Sequence, residues 1–240
     1  MKKNYWMIVG TQALLLMTPG CLVGLHSIRG SGDVTSIEIS EEGFSKLDLS
    51  HGCQATLTQA ETYSVVVQID DNLADYVKIE KNGSTLAIGM KPQNSYSRVS
   101  LEAHIAMPDI KDLELSGGSE AVITEFSLDR GFSAELSGGS EIKGEISSGD
   151  LNLSLSGGSE VNLRGAGGNA KIRGSGGSTF GLEGFETRNV DVDLSGGSTA
   201  LVNLDGTLTG ALSGGSTIYY TGNAVLGKIS KSGGARIVKN

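Results

Sequence analysis

A Ser-Gly-Gly-Ser tetrapeptide recurs through the second half of this 240-residue chain and constrains its fold more than any other feature. Six copies begin at Ser116, Ser137, Ser156, Ser175, Ser195 and Ser213, and an altered seventh copy is Ser232-Gly233-Gly234-Ala235. Successive copies begin 21, 19, 19, 20, 18 and 19 residues apart. Repeats of this length are typical of solenoids, in which each repeat buries its apolar side against its neighbours.

Apolar residues alternate with polar ones on both sides of the motif, as in strands with one buried face. The inward pairs before the motif are Leu113/Leu115, Leu153/Leu155 and Val192/Leu194, and those after it are Ala121/Ile123, Val161/Leu163, Phe180/Leu182, Ala200/Val202 and Ile218/Tyr220. We call one strand, its Gly-Gly corner and the next strand a rung, and expect a variable return of roughly 8 to 10 residues after it. This pattern predicts an all-β fold, a right-handed parallel β-helix with about 19–20 residues per rung, regular over residues 108–240.

The Gly-Gly pair suits a sharp corner because glycine adopts positive φ without steric penalty. The flanking serine hydroxyls can satisfy backbone groups at the turn. A purely structural role therefore accounts for the motif.

Residues 34–107 are rich in predicted strands but lack the strict repeat. Asn82-Gly83 between two apolar runs predicts a hairpin, Asp70 to Tyr76 a short helical turn, and Pro92 to Ser97 a polar loop. Leu49-Ser50-His51-Gly52-Cys53 resembles a diverged copy of the motif. We expect this part to begin the solenoid and to cap it.

The N-terminus has the pattern of an export signal. Lys2 and Lys3 precede an apolar segment, and Thr18-Pro19-Gly20-Cys21 resembles a lipobox. We interpret residues 1–21 as a lipoprotein signal with lipidation at Cys21, and residues 22–33 as a tether. An ordinary secretory signal, an uncleaved anchor, or a Cys21–Cys53 disulfide are the alternatives.

Composition argues against several functions. The net charge of −8 does not favour nucleic-acid binding, and the glycine motifs lack both the Walker lysine and the aspartates of calcium-binding β-rolls. The histidines are only His26, His51 and His104, and no catalytic spacing links them. Asp191 with Asp193, and Cys53 with His51, are weak catalytic pairs. We predict no enzyme activity, no metal and no cofactor.

The residue after each motif is the main candidate for a functional surface. These seven residues form the motif-following column: Glu120, Glu141, Glu160, Thr179, Thr199, Thr217 and Arg236. Three stacked glutamates repel one another unless water, a cation or a partner offsets their charge. The column is either a solvated face, a weak cation site or an edge that meets a polar ligand.

The Leu-Ser-Gly-Gly-Ser series, the segment from Phe44 to Ser50 and the segment Asp71-Asn72-Leu73 resemble the bacterial GIN-domain family. That family is described as "putative" autotransporter-adhesin heads, and the resemblance covers about residues 35 to 238. It implies a right-handed parallel β-helix on exported, often lipid-anchored proteins, with no catalytic residues to transfer.

Together these features favour a non-enzymatic cell-envelope solenoid, an adhesin or a module that binds a glycan or a surface protein. We expect an outer-membrane or cell-surface lipoprotein. The alternatives are a self-associating structural protein, which makes a homo-oligomer, and a carbohydrate-active enzyme on the same scaffold.

Overall fold

A computed structural model of the protein describes residues 27–92 and 94–240. The predicted signal segment, Cys21 and residues 22–26 of the expected tether lie outside the described residues. The N-terminal strands are β1 (Ser27–Arg29), β2 (Val34–Ile39), β3 (Lys46–Leu49), β4 (Gln54–Gln59), β5 (Ser64–Asp70), β6 (Val77–Asn82), β7 (Thr85–Met90), β8 (Ser95–Ser97) and β9 (Leu101–Met107), with a 3-10 helix at Asp71–Tyr76.

The repeat region adds fourteen strands. They are β10 (Asp112–Leu115), β11 (Glu120–Ser127), β12 (Phe132–Leu136), β13 (Glu141–Ser147), β14 (Leu151–Leu155), β15 (Glu160–Ala166), β16 (Ala170–Gly174), β17 (Thr179–Thr187), β18 (Val190–Leu194), β19 (Thr199–Leu204), β20 (Thr207–Leu212), β21 (Thr217–Thr221), β22 (Val225–Lys231) and β23 (Arg236–Lys239). Over the described ranges, the structure contains no helix of the length and apolarity that a membrane span requires.

The strands form two large sheets that face each other across one core. The ten-stranded sheet has the order β22-β20-β18-β16-β14-β12-β10-β3-β7-β6, and the eleven-stranded sheet has the order β2-β5-β9-β4-β11-β13-β15-β17-β19-β21-β23. A separate two-stranded sheet pairs β1 with β8. Each Gly-Gly corner carries the chain from the ten-stranded to the eleven-stranded sheet. The predicted all-β parallel solenoid is confirmed.

Alternation within the strands places every predicted inward pair in the core. The side chains of all sixteen residues, from Leu113 and Leu115 to Ile218 and Tyr220, are buried. Five phenylalanines fill the space between the sheets, four of them in the repeat region: Phe44, Phe126, Phe132, Phe180 and Phe185. Aromatics are sparse in the sequence, and the core uses all five phenylalanines.

The second serine of each Ser-Gly-Gly-Ser motif is a buried part of the corner. Its Oγ donates a hydrogen bond of 2.7–2.9 Å to the carbonyl oxygen of the first serine, in all six complete copies. The first glycine has positive φ in every copy, as at Gly117 (64°) and Gly233 (67°). The structural interpretation of the motif is therefore confirmed, and Ala235 ends the series without a hydroxyl.

The corner changes conformation partway along the stack. The second glycine also has positive φ at Gly118, Gly139 and Gly158, but not in the later copies. In the last three corners its N–H donates, at 2.7 Å, to the carbonyl of the first glycine of the preceding rung; the donors are Gly197, Gly215 and Gly234. Backbone hydrogen bonds thus link neighbouring rungs at these corners as well as within the sheets.

The predicted diverged motif is a real corner of the solenoid. His51 occupies the position of the first glycine with φ 63°, and Gly52 follows with φ 74°. Cys53 replaces the buried serine and is fully buried as a free thiol. The Glu120 amide donates to the Cys53 carbonyl, as the Glu141 amide does to Ser119.

The expected return of roughly 8 to 10 residues after each rung is wrong. The strands of the eleven-stranded sheet continue well beyond the predicted inward pairs, so that only Ser148–Asp150 separate β13 from β14. They bury further apolar side chains, Phe126, Ile146 and Phe185 among them. β-Bulges shift the register within these strands, and the simple alternation that the sequence showed breaks there.

In the N-terminal part of the solenoid, the order of the strands in space is not their order in the chain. The rung of β3 and β4 lies between the strands β7 and β9 on one side and β10 and β11 on the other. Antiparallel strands β5 and β2 then extend one sheet, and β6 extends the other. The predicted Asn82-Gly83 hairpin and the helical turn at Asp71–Tyr76 are both confirmed.

Residues 27–33, which we expected to belong to a tether, are attached to this cap. β1 pairs with β8, so the predicted polar loop from Pro92 to Ser97 also contains a strand. The buried Asp70 carboxylate accepts 2.7 Å hydrogen bonds from the Gly32 and Ser100 amides. These long-range contacts are invisible to a search for local alternation.

Alanine should destabilise the protein at the first glycine of a corner but have little effect on stability at the second glycine of the same corner. We expect Gly196→Ala to lower the free energy of unfolding by about 2 kcal/mol or more, because φ is +71° and the new Cβ would lie 2.6 Å from the Gly176 carbonyl oxygen. Gly197→Ala, whose Cβ has 3.7 Å of clearance, should change it by less than about 0.5 kcal/mol. Urea unfolding followed by circular dichroism measures both, and equal losses would contradict this account of the corner.

The Cys53 thiol should be unreactive in the folded protein. Burial raises its pKa from 9.0 to about 12, so little thiolate forms at about pH 8, and the site is closed to reagents. Ellman's reagent should react with Cys53 only after denaturation. Above about pH 9 the unfolded chain releases this proton and the folded one does not, so stability should fall with rising pH more steeply than in Cys53→Ser. Fast labelling of the folded protein in a Cys21→Ser background would overturn the prediction.

Candidate functional site

The register of the eleven-stranded sheet aligns the motif-following column. Glu120 lies opposite Glu141, Glu141 opposite Glu160, and Glu160 opposite Thr179. Thr199, Thr217 and Arg236 continue the same row. At the other end the row extends to Gln54 and Glu102. The seven residues therefore share one line on the solenoid, with Thr217 buried and Glu160 and Arg236 exposed.

A lysine that the sequence interpretation did not include offsets the charge of this column. Lys143 Nζ lies 3.1 Å from Glu120 Oε1 and 3.0 Å from Glu141 Oε2. Hydrogen bonds to Glu141 and then to Glu120 hold the pKa of Lys143 above its ordinary value. The ammonium group thus occupies the position between the two carboxylates that a bound cation would need.

The third glutamate of the column, Glu160, accepts a hydrogen bond from an amide side chain instead of pairing with the lysine. The Asn162 amide nitrogen donates a 2.7 Å hydrogen bond to Glu160 Oε1. Lys143 and Asn162 occupy equivalent positions, each two residues after the column on its own strand, and their strands pair in register. Polar side chains two residues further along β13 and β15 therefore contact the column glutamates, and Lys143 also reaches Glu120 on the neighbouring rung.

Next to this column lies a concavity with a volume of about 780 Å³. We call it the outer groove. Its polar side chains come from four successive strands of the eleven-stranded sheet: Thr124, Glu125, Lys143, Glu145, Asn162, Arg164 and Glu183. It presents two cations, three carboxylates, an amide and a hydroxyl, and it contains no aromatic side chain.

Backbone irregularities produce the groove. The ladders shift register between Ile123 and Phe126 and between Leu182 and Glu186, and Glu125 has φ 45° at the first bulge. Bulges bend a strand and redirect its side chains, which is why they are common beside binding sites.

Two glycines of β17 leave room for the groove side chains. A Cβ at Gly181 would lie 2.1 Å from Asn162 Oδ1, and one at Gly184 would lie 3.0 Å from Arg164 Cγ. The side chains of Asn162 and Arg164 therefore extend over the glycine backbone. Because Gly181 and Gly184 have no side chains, their backbone forms the floor on which Asn162 and Arg164 lie.

The polar groove residues beside the column were not predicted from the sequence. Lys143 and Glu145 follow Glu141 by two and four residues, and Asn162 and Arg164 follow Glu160 in the same way. In a strand, these spacings place side chains on one face. That signal was present in the sequence, whereas the bulges that turn the face into a groove were not.

A row of polar side chains that was not predicted from the sequence lies where successive rungs enter the ten-stranded sheet. Asp150 Oδ1 accepts hydrogen bonds from the Asn169 backbone and side chain, and the Asn189 amide donates to Asn169 Oδ1 at 2.8 Å. The Thr207 amide then donates to Asn189 Oδ1. The spacing of this ladder follows the spacing of the corners, and its groups satisfy one another, which indicates a structural role.

The outer face of the ten-stranded sheet carries an acidic cluster. Burial, followed by the charges of Asp48, Glu135 and Asp112, raises the pKa of Glu114 above its ordinary value. Asp112 in turn forms a 2.5 Å ion pair with Lys46. In the part of the chain that the structure describes, no three His, Cys, Asp or Glu side chains are grouped so as to hold a metal ion.

The weak catalytic pairs do not form a site. Asp191 and Asp193 are exposed on one face of β18, where Thr209 Oγ1 donates to Asp191 at 3.3 Å. His51 Nδ1 lies 2.9 Å from Ser50 Oγ, while Cys53 is buried on the other side of the corner. His104 lies on β9, and His26 is outside the described residues.

Solved structures share this fold over most of the chain. A "putative adhesin" from Bacteroides fragilis has a TM-score of 0.82 at 17% identity, covering 89% of this chain and 100% of that one. A "putative lipid binding protein" from Parabacteroides distasonis has a TM-score of 0.75 at 19% identity, covering 89% and 99%. A "putative adhesin" from Parabacteroides merdae has a TM-score of 0.67 at 17% identity, with the same coverages. At these identities the likeness shows the fold alone.

No curated protein matches the chain. A family model described as "Putative auto-transporter adhesin, head GIN domain" matches residues 43–224, which includes the diverged corner and six of the seven motif copies. The chain therefore belongs to the GIN-domain family that the motif series predicted.

Proposed function

We propose that this protein is a non-enzymatic adhesion module of the cell envelope that binds a polar glycan across its outer groove. The groove itself carries the proposal, because it is a large concave surface built from charged and amide side chains on a rigid sheet. Membership of an adhesin-head family agrees with an exported or surface protein.

The shape and lining of the groove favour a linear polar ligand. It crosses four strands at about 4.8 Å per step, which gives roughly 14 Å, the length of a few linked sugars. Protein-binding surfaces are usually enriched in aromatic residues at their centre, and none lines this groove. Lys143, Arg164 and Asn162 offer donors, and the three glutamates offer acceptors, for hydroxyl, carboxylate and amide groups.

Features of the structure argue against two other functions. One structural neighbour is named a lipid-binding protein, but the space between the sheets here is filled by buried side chains and the groove is lined by charges. A glycosidase needs a partly desolvated carboxyl group as its acid, whereas Glu125, Glu145 and Glu183 are all exposed. A binding role suits these exposed groups better than catalysis.

Removing two groove side chains should weaken glycan binding. We expect Asn162→Ala combined with Arg164→Ala to weaken binding by about tenfold or more, since each lost charged or polar contact contributes about 1 kcal/mol or more. The matched control is Asn152→Ala combined with Arg173→Ala, the same residue types exposed on the opposite sheet. A glycan array probed with the purified full chain identifies a ligand, and calorimetry then compares the variants.

Three outcomes would contradict the proposal. They are the absence of any glycan bound by the array, equal loss of affinity in the two double variants, and hydrolysis of a bound glycan. Circular dichroism and thermal melting confirm that both variants fold.

We also propose that lipidation of Cys21 anchors the protein to the envelope. We expect a palmitate analogue to label the full chain and the label to disappear in Cys21→Ser, because the thiol is the acylation site. Cys53→Ser is the matched control and should label normally, since Cys53 is buried in the folded domain. Equal labelling of wild type and Cys21→Ser would refute the anchor.

A further inference from the structure

The two ends of the solenoid carry opposite charge. From residue 206 to 240 the chain has four cations and no acidic side chain; the cations are Lys228, Lys231, Arg236 and Lys239. Residues 27–82, which include the cap strands, contain ten acidic and four basic residues, and 4 − 10 gives −6. The charge of the chain is therefore distributed unevenly along the axis of the stack, with a basic C-terminal end and an acidic N-terminal end.

Each end also presents one unpaired strand edge from each sheet. At the C-terminal end, β22 closes the ten-stranded sheet and β23 closes the eleven-stranded sheet. At the N-terminal end the corresponding outermost strands are β6 and β2. Within the described residues, the outer edges of these four strands have no ladder partner, so their backbone groups can pair with another chain.

Apolar exposure is concentrated at the same two ends. Four large apolar side chains are exposed among the described residues, and three of them lie on end strands: Val34 on β2, and Val225 and Leu226 on β22. The inward side chains of the last rung, Ile229 and Ile237, are only partly buried. Among the described residues, the outer side of the last rung is therefore incompletely packed.

We propose that copies of this chain associate head to tail, with the C-terminal rung of one against the N-terminal cap of the next. In this arrangement β22 would pair antiparallel with β6 of the next copy, and β23 would pair parallel with its β2. Both sheets would continue across the junction. Arg236 and Lys239 of β23 would face β2, whose one charged side chain is Glu38. On β6, Glu80 is already paired with Lys78 at 3.2 Å, so the ten-stranded sheet would contribute backbone pairing rather than charge attraction. Two C-terminal ends would instead bring cations together, which opposes symmetric pairing.

Such a contact uses two different surfaces and therefore generates rows rather than closed dimers. Lysines on an edge strand also serve in other proteins to prevent pairing. The two roles make different predictions, because protective cations face like charge or solvent, whereas Arg236 and Lys239 of β23 would face Glu38 on β2. The inference does not depend on a ligand in the outer groove.

Sedimentation velocity of the full chain over a range of concentrations and salt tests the proposal. We expect association that grows with concentration and weakens with salt, because exposed charges are screened. Reversal of both charges on β23, Arg236→Glu with Lys239→Glu, should weaken it by about tenfold or more. Reversal on the facing strand, Glu38→Lys, should weaken it in the same direction.

Mixing the two reversed chains supplies the sharper test. Each end of one variant then meets an oppositely charged end of the other, so association should return in the mixture. The matched control, Lys171→Glu with Arg173→Glu on the middle of the ten-stranded sheet, should associate as the wild type does. A wild-type chain that stays monomeric at millimolar concentration, or reversed chains that do not recover when mixed, would overturn head-to-tail association.

Discussion

The buried serine that ends each of the six complete Ser-Gly-Gly-Ser motifs fixes where those rungs turn. Its hydroxyl donates to the backbone carbonyl three residues earlier, and its side chain is withdrawn from water. A buried hydroxyl without that acceptor would cost about 1–3 kcal/mol, and the hydrogen bond is kept in both conformations of the corner. With the turn fixed, the alternation on both sides has only one phase, and a slip of one residue would expose the whole apolar face.

The corner also explains which parts of the fold could be predicted. Alternation around a fixed turn is a local property, so the inward pairs from Leu113 to Tyr220 follow from the sequence. Even the diverged corner at His51 and Cys53 keeps the phase, because a thiol is small enough to replace the buried hydroxyl. Family membership follows from the same repeated residues.

Other features depend on contacts that no local pattern records. Nothing in residues 46–59 indicates that later strands occupy both sides of this rung, since spatial neighbours are chosen by edges far apart in sequence. The attachment of Gly32 to the buried Asp70 carboxylate is likewise long-range. The candidate site was only half predictable: register aligned the column glutamates, but the bulges that open the groove beside them arise where alternation fails.

The interleaved first rungs have a consequence for how the chain folds. Strand β3 pairs with residues about 39 positions later and about 66 positions later, for instance Leu47 with Leu86 and with Leu113, whereas strands of the repeat region meet partners about 20 positions away. In a chain that emerges from its N-terminus, β3 has no parallel partner until β7 appears and β4 has none until β9 appears. The second edge of each strand stays open until β10 and β11 follow. We therefore expect the slow step of folding at the beginning of the chain, with the repeats after it adding one at a time to a template that already exists.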